Sequence, residues 1–156
     1  MCCWRKRGTQ KEALGRSRCG FTTKIHIRTN GCGLPVATEL TGGETADCSG
    51  YQAVMDADGP DPKVLLADKG YDADFIRADM EARGGIAVIP MKQNRKIIVE
   101  VDRHIYGLRN QIERCFNKLK NSRRLATRYD KTMQSYLGFV HIACVRLWLR
   151  HFVNTT

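Results

Sequence analysis

The sequence contains no apolar stretch long enough to cross a membrane. Its longest apolar run, 136–149, is 14 residues long and is interrupted by His141 and Arg146, whereas a spanning helix needs roughly 18 or more mostly apolar residues. Residues 1–7 carry positive charges with no apolar segment behind them, unlike a secretory signal peptide. We therefore expect a chain that is neither a membrane protein nor a secreted one.

The sequence also lacks the cysteine patterns of a disulfide framework or a zinc site. Its seven cysteines form no CxxC pair and no Cys/His zinc spacing, and such an odd, scattered set is typical of reduced thiols in the cytosol. The four histidines share no ligand spacing, and we assign them no role: His26, His104, His141 and His151. The pattern predicts a cytoplasmic protein.

Acidic residues are scarce at both ends of the chain. Residues 1–30 carry a net charge of +7, residues 31–91 one of −7 and residues 92–156 one of +10. Two interpretations stay open at this level. The acidic and basic faces could serve solubility alone, or the basic ends could bind a polyanion while carboxylates in the middle bind metal ions.

Hydrophobic patterning predicts one domain over residues 21–152, preceded by a basic N-terminal arm over 1–20. A hydrophobic share of 42% is enough for a real core and excludes wholesale disorder. Alternating and β-branched residues favour two strands of a hairpin, at 21–29 and 34–41. The N-terminal arm has little periodicity, and we expect it to be a loop.

The middle of the chain is typical of a strand-helix-strand unit. Short apolar runs favour buried strands at 64–67 and 86–89, and a helix capped by Asp72 and ending near Arg83 would connect them as parallel neighbours. Further helices are predicted at 46–57, with Asp47 or Ser49 as its cap, at 103–120 and at 132–151. The fold class is therefore α/β.

The predicted helix 103–120 places four polar side chains on one narrow edge. At 100° per residue these side chains fall within an arc about 60° wide: Tyr106, Arg109, Glu113 and Lys120. An apolar arc lies beside it: Ile105, Leu108, Ile112, Cys115, Phe116 and Leu119. Spacing alone leaves a second interpretation open, because an i,i+4 pair such as Arg109 and Glu113 simply stabilises a helix by about 0.2–0.5 kcal/mol.

Asp68 directly follows the predicted strand 64–67. Ligands of α/β proteins bind beyond the carboxyl ends of parallel strands, and a carboxylate there is a good ligand for Mg²⁺, which prefers oxygen donors. The alternative is an aspartate that only caps a turn. Asp72 and Asp74 are better explained as residues favoured in a first helical turn.

Two motifs together resemble the core of a known family. Residues 66–72, Leu-Ala-Asp-Lys-Gly-Tyr-Asp, are followed by the spacing Y-(2)-R-(3)-E-(6)-K over 106–120. This combination is similar to bacterial insertion-sequence transposases, the DDE enzymes of the insertion-sequence-four/five superfamily. Similar segments also lie at 16–26, 40–43 and 123–131, so that the resemblance covers roughly 12–151.

The resemblance implies an RNase H-like fold, a mixed sheet with flanking helices, and cut-and-join chemistry on double-stranded DNA. Three carboxylates would hold two Mg²⁺ ions roughly 4 Å apart. Carried over by position, Asp68 is the second acid and Glu113 the third, so both are expected catalytic residues and metal ligands. Arg109 and Lys120 would contact phosphates at the end of the element, and Tyr106 would pack against the same DNA strand.

A basic stretch follows the motif. It contains seven cations within 114–131: Arg114, Lys118, Lys120, Arg123, Arg124, Arg128 and Lys131. Such a cluster tracks the phosphate backbone and gives salt-dependent binding without sequence specificity. We expect Arg123, Arg124, Arg128 and Lys131 to bind DNA; the alternative is a basic face that is merely solvated.

The first acid of the family's triad has no counterpart in this sequence. No aspartate occurs before Asp47, and the earlier acids Glu12, Glu39 and Glu44 do not sit in a matching strand. We therefore expect the C-terminal portion of a transposase, from a frameshifted or decayed element, that lacks the first Asp and the first strand. Such a chain is expected to be inactive alone and to expose strand edges and apolar surface.

Two functions from different classes follow. The first is a DNA transposase that cleaves and joins phosphodiester bonds with Mg²⁺. The second is a non-catalytic DNA-binding remnant that associates with or inhibits an intact enzyme, while a stand-alone nuclease is disfavoured by the helix motif. The expected DNA partners are insertion-sequence ends and target DNA. The expected protein partner is a second copy of the chain or the missing N-terminal portion, and the expected location is the bacterial nucleoid.

Overall fold

The computed structural model describes residues 12–17, 20–93, 95 and 98–155. Its strands form two sheets, and its helices pack against both. In chain order the elements are β1 (Gly15–Ser17), β2 (Gly20–Thr29), β3 (Pro35–Gly42), α1 (Tyr51–Met55), β4 (Val64–Leu66), α2 (Asp74–Ala82), β5 (Ile86–Val88), α3 (Arg103–Gly107), α4 (Asn110–Lys120), α5 (Arg123–Ala126) and α6 (Met133–Thr155). Two short 3-10 turns lie at Asp47–Gly50 and Lys69–Tyr71.

The predicted hairpin is confirmed, and β1 extends it into an antiparallel sheet of order β1-β2-β3. The Asn30 side chain closes the β2–β3 turn by accepting the amide hydrogens of Cys32 and Leu34, both at 3.0 Å. The expected loop over 1–20 differs at Gly15–Ser17, which pairs with the start of β2. Residues 1–11 of the expected arm lie outside the described residues.

The predicted parallel pair is also confirmed, with Val64 opposite Ile86 and Leu66 opposite Val88. Helix α2 connects the two strands and ends at Ala82, and the chain leaves it through Gly84, whose φ of +72° is readily adopted only by glycine. The predicted cap was wrong, because α2 begins at Asp74 after Ala73. The Asp72 side chain instead accepts hydrogen bonds from the amide of Lys92 and from the guanidinium group of Arg77 on α2.

Within the described ranges no strand joins the two sheets, since β2 pairs only with β1 and β3, and β4 only with β5. The mixed α/β class is confirmed. An RNase H-like mixed sheet would need one further strand between β2 and β4. In the described part, no helix is both long and apolar enough to cross a membrane.

Each sheet has its own core. Helices α4, α5 and α6 cover the antiparallel sheet through buried side chains that include Leu34, Leu40, Cys115, Leu119, Leu125, Tyr136, Val140 and Leu147. A smaller core packs α1 and α2 against the parallel pair through Tyr51, Met55, Ile76, Met80 and Ile89. Strand β2 and the turn after β4 therefore belong to different cores.

The predicted helix 103–120 is interrupted. Between α3 and α4 the amide of Arg109 bonds the carbonyl of Tyr106, and that of Gln111 bonds the carbonyl of Leu108, both at 3.0 Å. These i→i+3 bonds tighten the helix and rotate its first turn away from the core. Cys115 and Leu119 are buried as expected, but the apolar arc was wrong at Ile105 and Leu108, which are 37% and 60% exposed.

The predicted helix 46–57 is shorter than expected and has a different start. A 3-10 turn at Asp47–Gly50 leads into α1, and the cap position, Ala46, makes no side-chain bond. Asp47 instead accepts a hydrogen bond from Lys24 on β2 at 2.8 Å. The acidic side chain therefore ties the turn to the antiparallel sheet.

Candidate functional site

Asp68 lies at the carboxyl end of β4, where the sequence places it. Its side chain is exposed, and its Oδ1 accepts the amide hydrogen of Gly70 at 2.8 Å. This bond caps the 3-10 turn Lys69–Tyr71. Because the carboxylate faces solvent from a short, hydrogen-bonded turn, it can act as an oxygen ligand for a hard cation.

A second carboxylate, that of Asp47, borders the same turn. A side-chain carbon at Gly70 would lie 2.5 Å from Asp47 Oδ2 and 2.9 Å from Asp68 Oδ1. Only glycine therefore fits between these two carboxylates. The negative charge of Asp47 is partly neutralised by Lys24, whose Nζ also donates to the carbonyl of Thr45 at 2.6 Å.

The helix edge brings together three of the side chains that the motif contains. The guanidinium carbon of Arg109 lies 5.4 Å from the centre of the Tyr106 ring, within range of a cation–π interaction. The same guanidinium group donates to the carboxylate of Glu113. Half of the Glu113 side chain remains exposed, so its carboxylate is accessible to a cation.

Lys120 ends α4 and borders an open cleft. The cleft has a volume of about 430 Å³ and lies between β2 and the α4–α5 region, lined by Thr23, Ile25, Phe116, Leu119, Lys120, Leu125, Ala126 and Tyr136. Lys120 is exposed and makes the rim of this apolar cleft positive.

The two candidate acids belong to different parts of the structure. Asp68 follows a strand of the parallel sheet, whereas Glu113 is on α4, which packs on the antiparallel sheet. In the part of the chain that the structure describes, no group of three or more His, Cys, Asp or Glu side chains could hold a metal ion. The donor chemistry fits Mg²⁺ at each carboxylate, but these residues alone do not build a two-metal site.

The basic stretch divides into exposed and engaged cations. Arg123 and Lys131 are exposed. Arg124 is exposed too, but its guanidinium carbon lies 4.3 Å from the centre of the Phe139 ring and its Nη1 lies 3.9 Å from Asp130. Of the four cations that follow α4, Arg123 and Lys131 are therefore the most available for a phosphate.

Arg128 has an internal role that its place in the basic stretch did not predict. Its guanidinium group donates to the carbonyls of Glu12, Ala13, Asp130 and Lys131 and to the hydroxyl of Thr23. It also lies 5.0 Å from the centre of the Tyr136 ring. All five N–H groups are thereby engaged, so that in this arrangement Arg128 has no N–H group left for a phosphate.

His26 was assigned no role from the sequence, yet it connects β2 to the Asp68 turn. Its ring is 3% exposed, its Nδ1 lies 2.7 Å from the hydroxyl of Tyr71 and its Nε2 lies 2.8 Å from that of Thr41. Burial lowers the pKa of this imidazole, and burial also raises the pKa of Tyr71, helped by the charges of Asp47 and Asp68. The alternation of β2 is the signal that could have found it, because Ile25 and Ile27 on one face leave His26 facing a second packed layer.

Asp72 is the third residue whose role the sequence did not predict. Its carboxylate is 1% exposed and accepts from Arg77 at 2.9 Å, from Arg95 at 2.8 Å and from the amide of Lys92 at 2.9 Å. Burial alone would raise its pKa, but these donors together lower it. Asp72 therefore fixes the segment after β5 against the residues that follow the Asp68 turn.

Three comparisons relate the chain to known proteins. A family model described as "Transposase DDE domain" matches residues 3–148. The chain is 38% identical over 131 residues to a predicted transposase of insertion sequence element IS6501 from Brucella ovis, a match that covers 83% of this chain and 100% of that protein. It is 29% identical over 154 residues to a predicted transposase of element IS402 from Burkholderia cepacia, covering 90% of this chain and 68% of that protein. No solved structure matches the chain.

Proposed function

The chain belongs to the transposase DDE domain family, and from this premise we propose that it contributes to metal-dependent cleavage and strand transfer of DNA at insertion-sequence ends. The observation that carries the proposal is the edge of α3 and α4, where Arg109 lies against Tyr106 and pairs with the accessible carboxylate of Glu113. A cation, an acid and an aromatic ring are thereby presented together at the surface. The guanidinium group can contact a phosphate, and the carboxylate can hold a metal ion beside it.

In this proposal Asp68 and Glu113 are catalytic residues that would hold Mg²⁺. The bound metal would activate the attacking oxygen and stabilise the leaving oxygen of an in-line displacement. The protein must bring the acid at the end of β4 near the acid on α4. The sequence supplies no counterpart of the family's first acid, so we expect the chain alone not to nick DNA.

The DNA backbone would be held by the cations that the structure leaves accessible. Arg109 and Lys120 flank Glu113 along the helix edge, and Arg123, Arg124 and Lys131 extend the positive surface beyond it. Fixed cations of this kind stabilise the negative charge that gathers on a phosphate during displacement. Arg128 is left out of this set because its N–H groups are engaged within the chain.

The proposal is tested by DNA binding with and without a divalent cation. The probe is a duplex of about three helical turns carrying the terminal sequence of the element that encodes the chain. We expect Mn²⁺ to tighten binding, because a bound cation bridges a carboxylate and a phosphate. Asp68→Asn and Glu113→Gln should each remove this metal dependence without weakening the metal-free affinity.

Exposed acids away from the site provide matched controls. Asp58→Asn and Glu81→Gln make the same chemical changes at exposed positions and should retain the Mn²⁺ effect. Equal reductions of the Mn²⁺ effect in all four variants would contradict the proposal, since the effect would then come from overall charge. Absence of any DNA binding would contradict it as well.

A non-catalytic DNA-binding remnant is the second candidate. It is favoured by the scattered acids of the described part, where no group of three or more His, Cys, Asp or Glu side chains could hold a metal ion. Such a chain would inhibit transposition by an intact relative, and Asp68→Asn and Glu113→Gln would inhibit as well as the unchanged chain. A metal effect that depends on both acids would instead favour the catalytic candidate.

A further inference from the structure

The turn that carries Asp68 is anchored through a buried histidine. Few contacts separate the carboxylate from the histidine. Asp68 Oδ1 accepts the amide hydrogen of Gly70, and the hydroxyl of the next residue, Tyr71, lies 2.7 Å from His26 Nδ1. On its other side the ring lies 2.8 Å from Thr41 on β3. In a neutral imidazole one nitrogen donates and the other accepts, so both bonds are satisfied in either tautomer.

The surroundings of His26 are shaped to hold the ring in one place. A side-chain carbon at Gly50 would lie 2.4 Å from the ring, so the backbone of the turn Asp47–Gly50 packs directly against the imidazole. The Tyr71 ring meets it edge-on, with centroids 6.2 Å apart. The ring is thus confined on its flank and bonded at both nitrogens, and it cannot change orientation without breaking a buried hydrogen bond.

The position of this anchor matters because no strand of the described residues joins the two sheets. His26 and Thr41 belong to the antiparallel sheet, whose far side supports α4 and Glu113. Tyr71 belongs to the turn that follows the parallel sheet and carries Asp68. The hydrogen bond between His26 and Tyr71 therefore connects the sheet that supports one candidate acid with the turn that carries the other.

We propose that His26 is a positioning residue for the site, which fixes the Asp68 carboxylate through Tyr71 relative to the sheet that supports Glu113. The inference rests on the proposed function only in taking Asp68 as a metal ligand. This arrangement makes a testable prediction. If the hydrogen bond between Tyr71 and His26 is removed, the hydrogen bond from the Gly70 amide to the Asp68 carboxylate should open more often. That amide reports on the carboxylate whether or not the chain is active.

The experiment compares two tyrosines of the same core in the full chain. Tyr71→Phe removes the hydroxyl bonded to His26, and Tyr51→Phe removes another hydroxyl with a 2.7 Å bond, to Asp79. Native-state hydrogen exchange of the Gly70 amide should rise roughly tenfold in Tyr71→Phe, the change expected when one net hydrogen bond is removed. It should stay unchanged in Tyr51→Phe. Thr41→Val, which removes the other bond of the ring and keeps Tyr71, should shift Gly70 in the same direction if Tyr71→Phe does not fold.

The outcomes separate the two proposals. Equal Gly70 exchange in Tyr71→Phe and Tyr51→Phe, whether raised or not, would overturn the positioning role. In a second measurement, Mn²⁺ alone at about millimolar concentration should broaden the amide signals of residues 68–71 in the unchanged chain, and less in Tyr71→Phe. Absence of broadening in the unchanged chain would contradict the proposed function, while the Gly70 result would still decide the positioning role.

Discussion

The guanidinium group of Arg109 is paired with the carboxylate of Glu113, although the sequence motif assigns the two groups to different partners. An exposed pair of this kind contributes only about 0.2–1 kcal/mol. A phosphate that attracts Arg109 and a cation that attracts Glu113 can therefore replace the pair at little cost. In the proposed function, the ion pair would hold both side chains at the edge of the helix until such partners bind.

The accessible cations should set the salt dependence of DNA binding. Removing a cation that neutralises one phosphate lowers the slope of log K against log salt by about 1, so Arg109→Ala and Lys120→Ala should each reduce the slope by that amount. Arg146→Ala removes an exposed charge on α6 outside the proposed surface and should leave the slope unchanged. Fluorescence anisotropy at several salt concentrations makes the measurement; a reduction as large for Arg146→Ala would argue against a localised surface.

Arg128 should act on stability. Arg128→Lys keeps the charge but removes the planar fork that bonds Glu12, Ala13 and Thr23, so the free energy of unfolding should fall by about 2–3 kcal/mol. Urea denaturation measures the decrease, with the exposed Arg123→Lys as the control expected within about 0.5 kcal/mol of the unchanged chain. An unchanged urea midpoint for Arg128→Lys would mean that its internal bonds contribute little.

Asp72 should be among the most sensitive acids of the chain. Asp72→Asn leaves Arg77 and Arg95 without their buried partner, and breaking a buried pair costs about 3–5 kcal/mol. Because the folded pKa of Asp72 lies below its ordinary value of 3.8, its contribution is complete above that value and is lost as the pH falls through the folded pKa. Urea denaturation measures the loss of stability. The control is Asp74→Asn, which should have a small effect because the Asp74 side chain is 88% exposed, although it also pairs with Arg95. Equal effects of the two substitutions would contradict the role of Asp72.

Two glycines with positive φ separate strain from close packing. Gly33 has a φ of +74°, and a side-chain carbon added there would lie 3.1 Å from the carbonyl oxygen of Gln111. Gly84 has a φ of +72°, and a side-chain carbon added there would have no other atom within 4 Å. Gly84→Ala should cost about 1–2 kcal/mol from left-handed strain alone, and Gly33→Ala should cost more because the turn must move away from α4. Thermal unfolding of the two variants gives the comparison. Equal destabilisation would show that α4 moves away from the added methyl group at no measurable cost.

The local elements could be predicted from the sequence because short-range patterns determine them. Alternation predicted the hairpin, and two apolar runs with a connecting helix predicted the parallel pair. The interruption at Arg109 was not predictable, because the periodic pattern continues across it while the i→i+3 bonds at Tyr106 break the helix. That difference explains why Leu108 is exposed.

The connections between elements needed the structure. Arg128 and Glu12 meet across 116 residues, and no local pattern distinguishes an arginine that is bonded within the chain from its exposed neighbours in a basic stretch. His26 and Tyr71 likewise lie in segments that are far apart in the sequence and meet only in the folded structure. The motif located the candidate acids Asp68 and Glu113, but it carried no information about the side chains that hold the Asp68 turn.

His26 should also make stability depend on pH. Burial lowers the pKa of the ring, the charges of Asp47 and Glu39 oppose that shift, and Lys24 adds to it. The unfolded chain therefore binds the proton first as the pH falls below the ordinary value of 6.5, and the free energy of unfolding should fall until the pH passes the folded pKa. Urea denaturation between about pH 8 and about pH 5 measures this slope. His26→Gln should lower stability at the upper end and flatten the slope; an equally steep slope in that variant would assign the pH dependence to other groups.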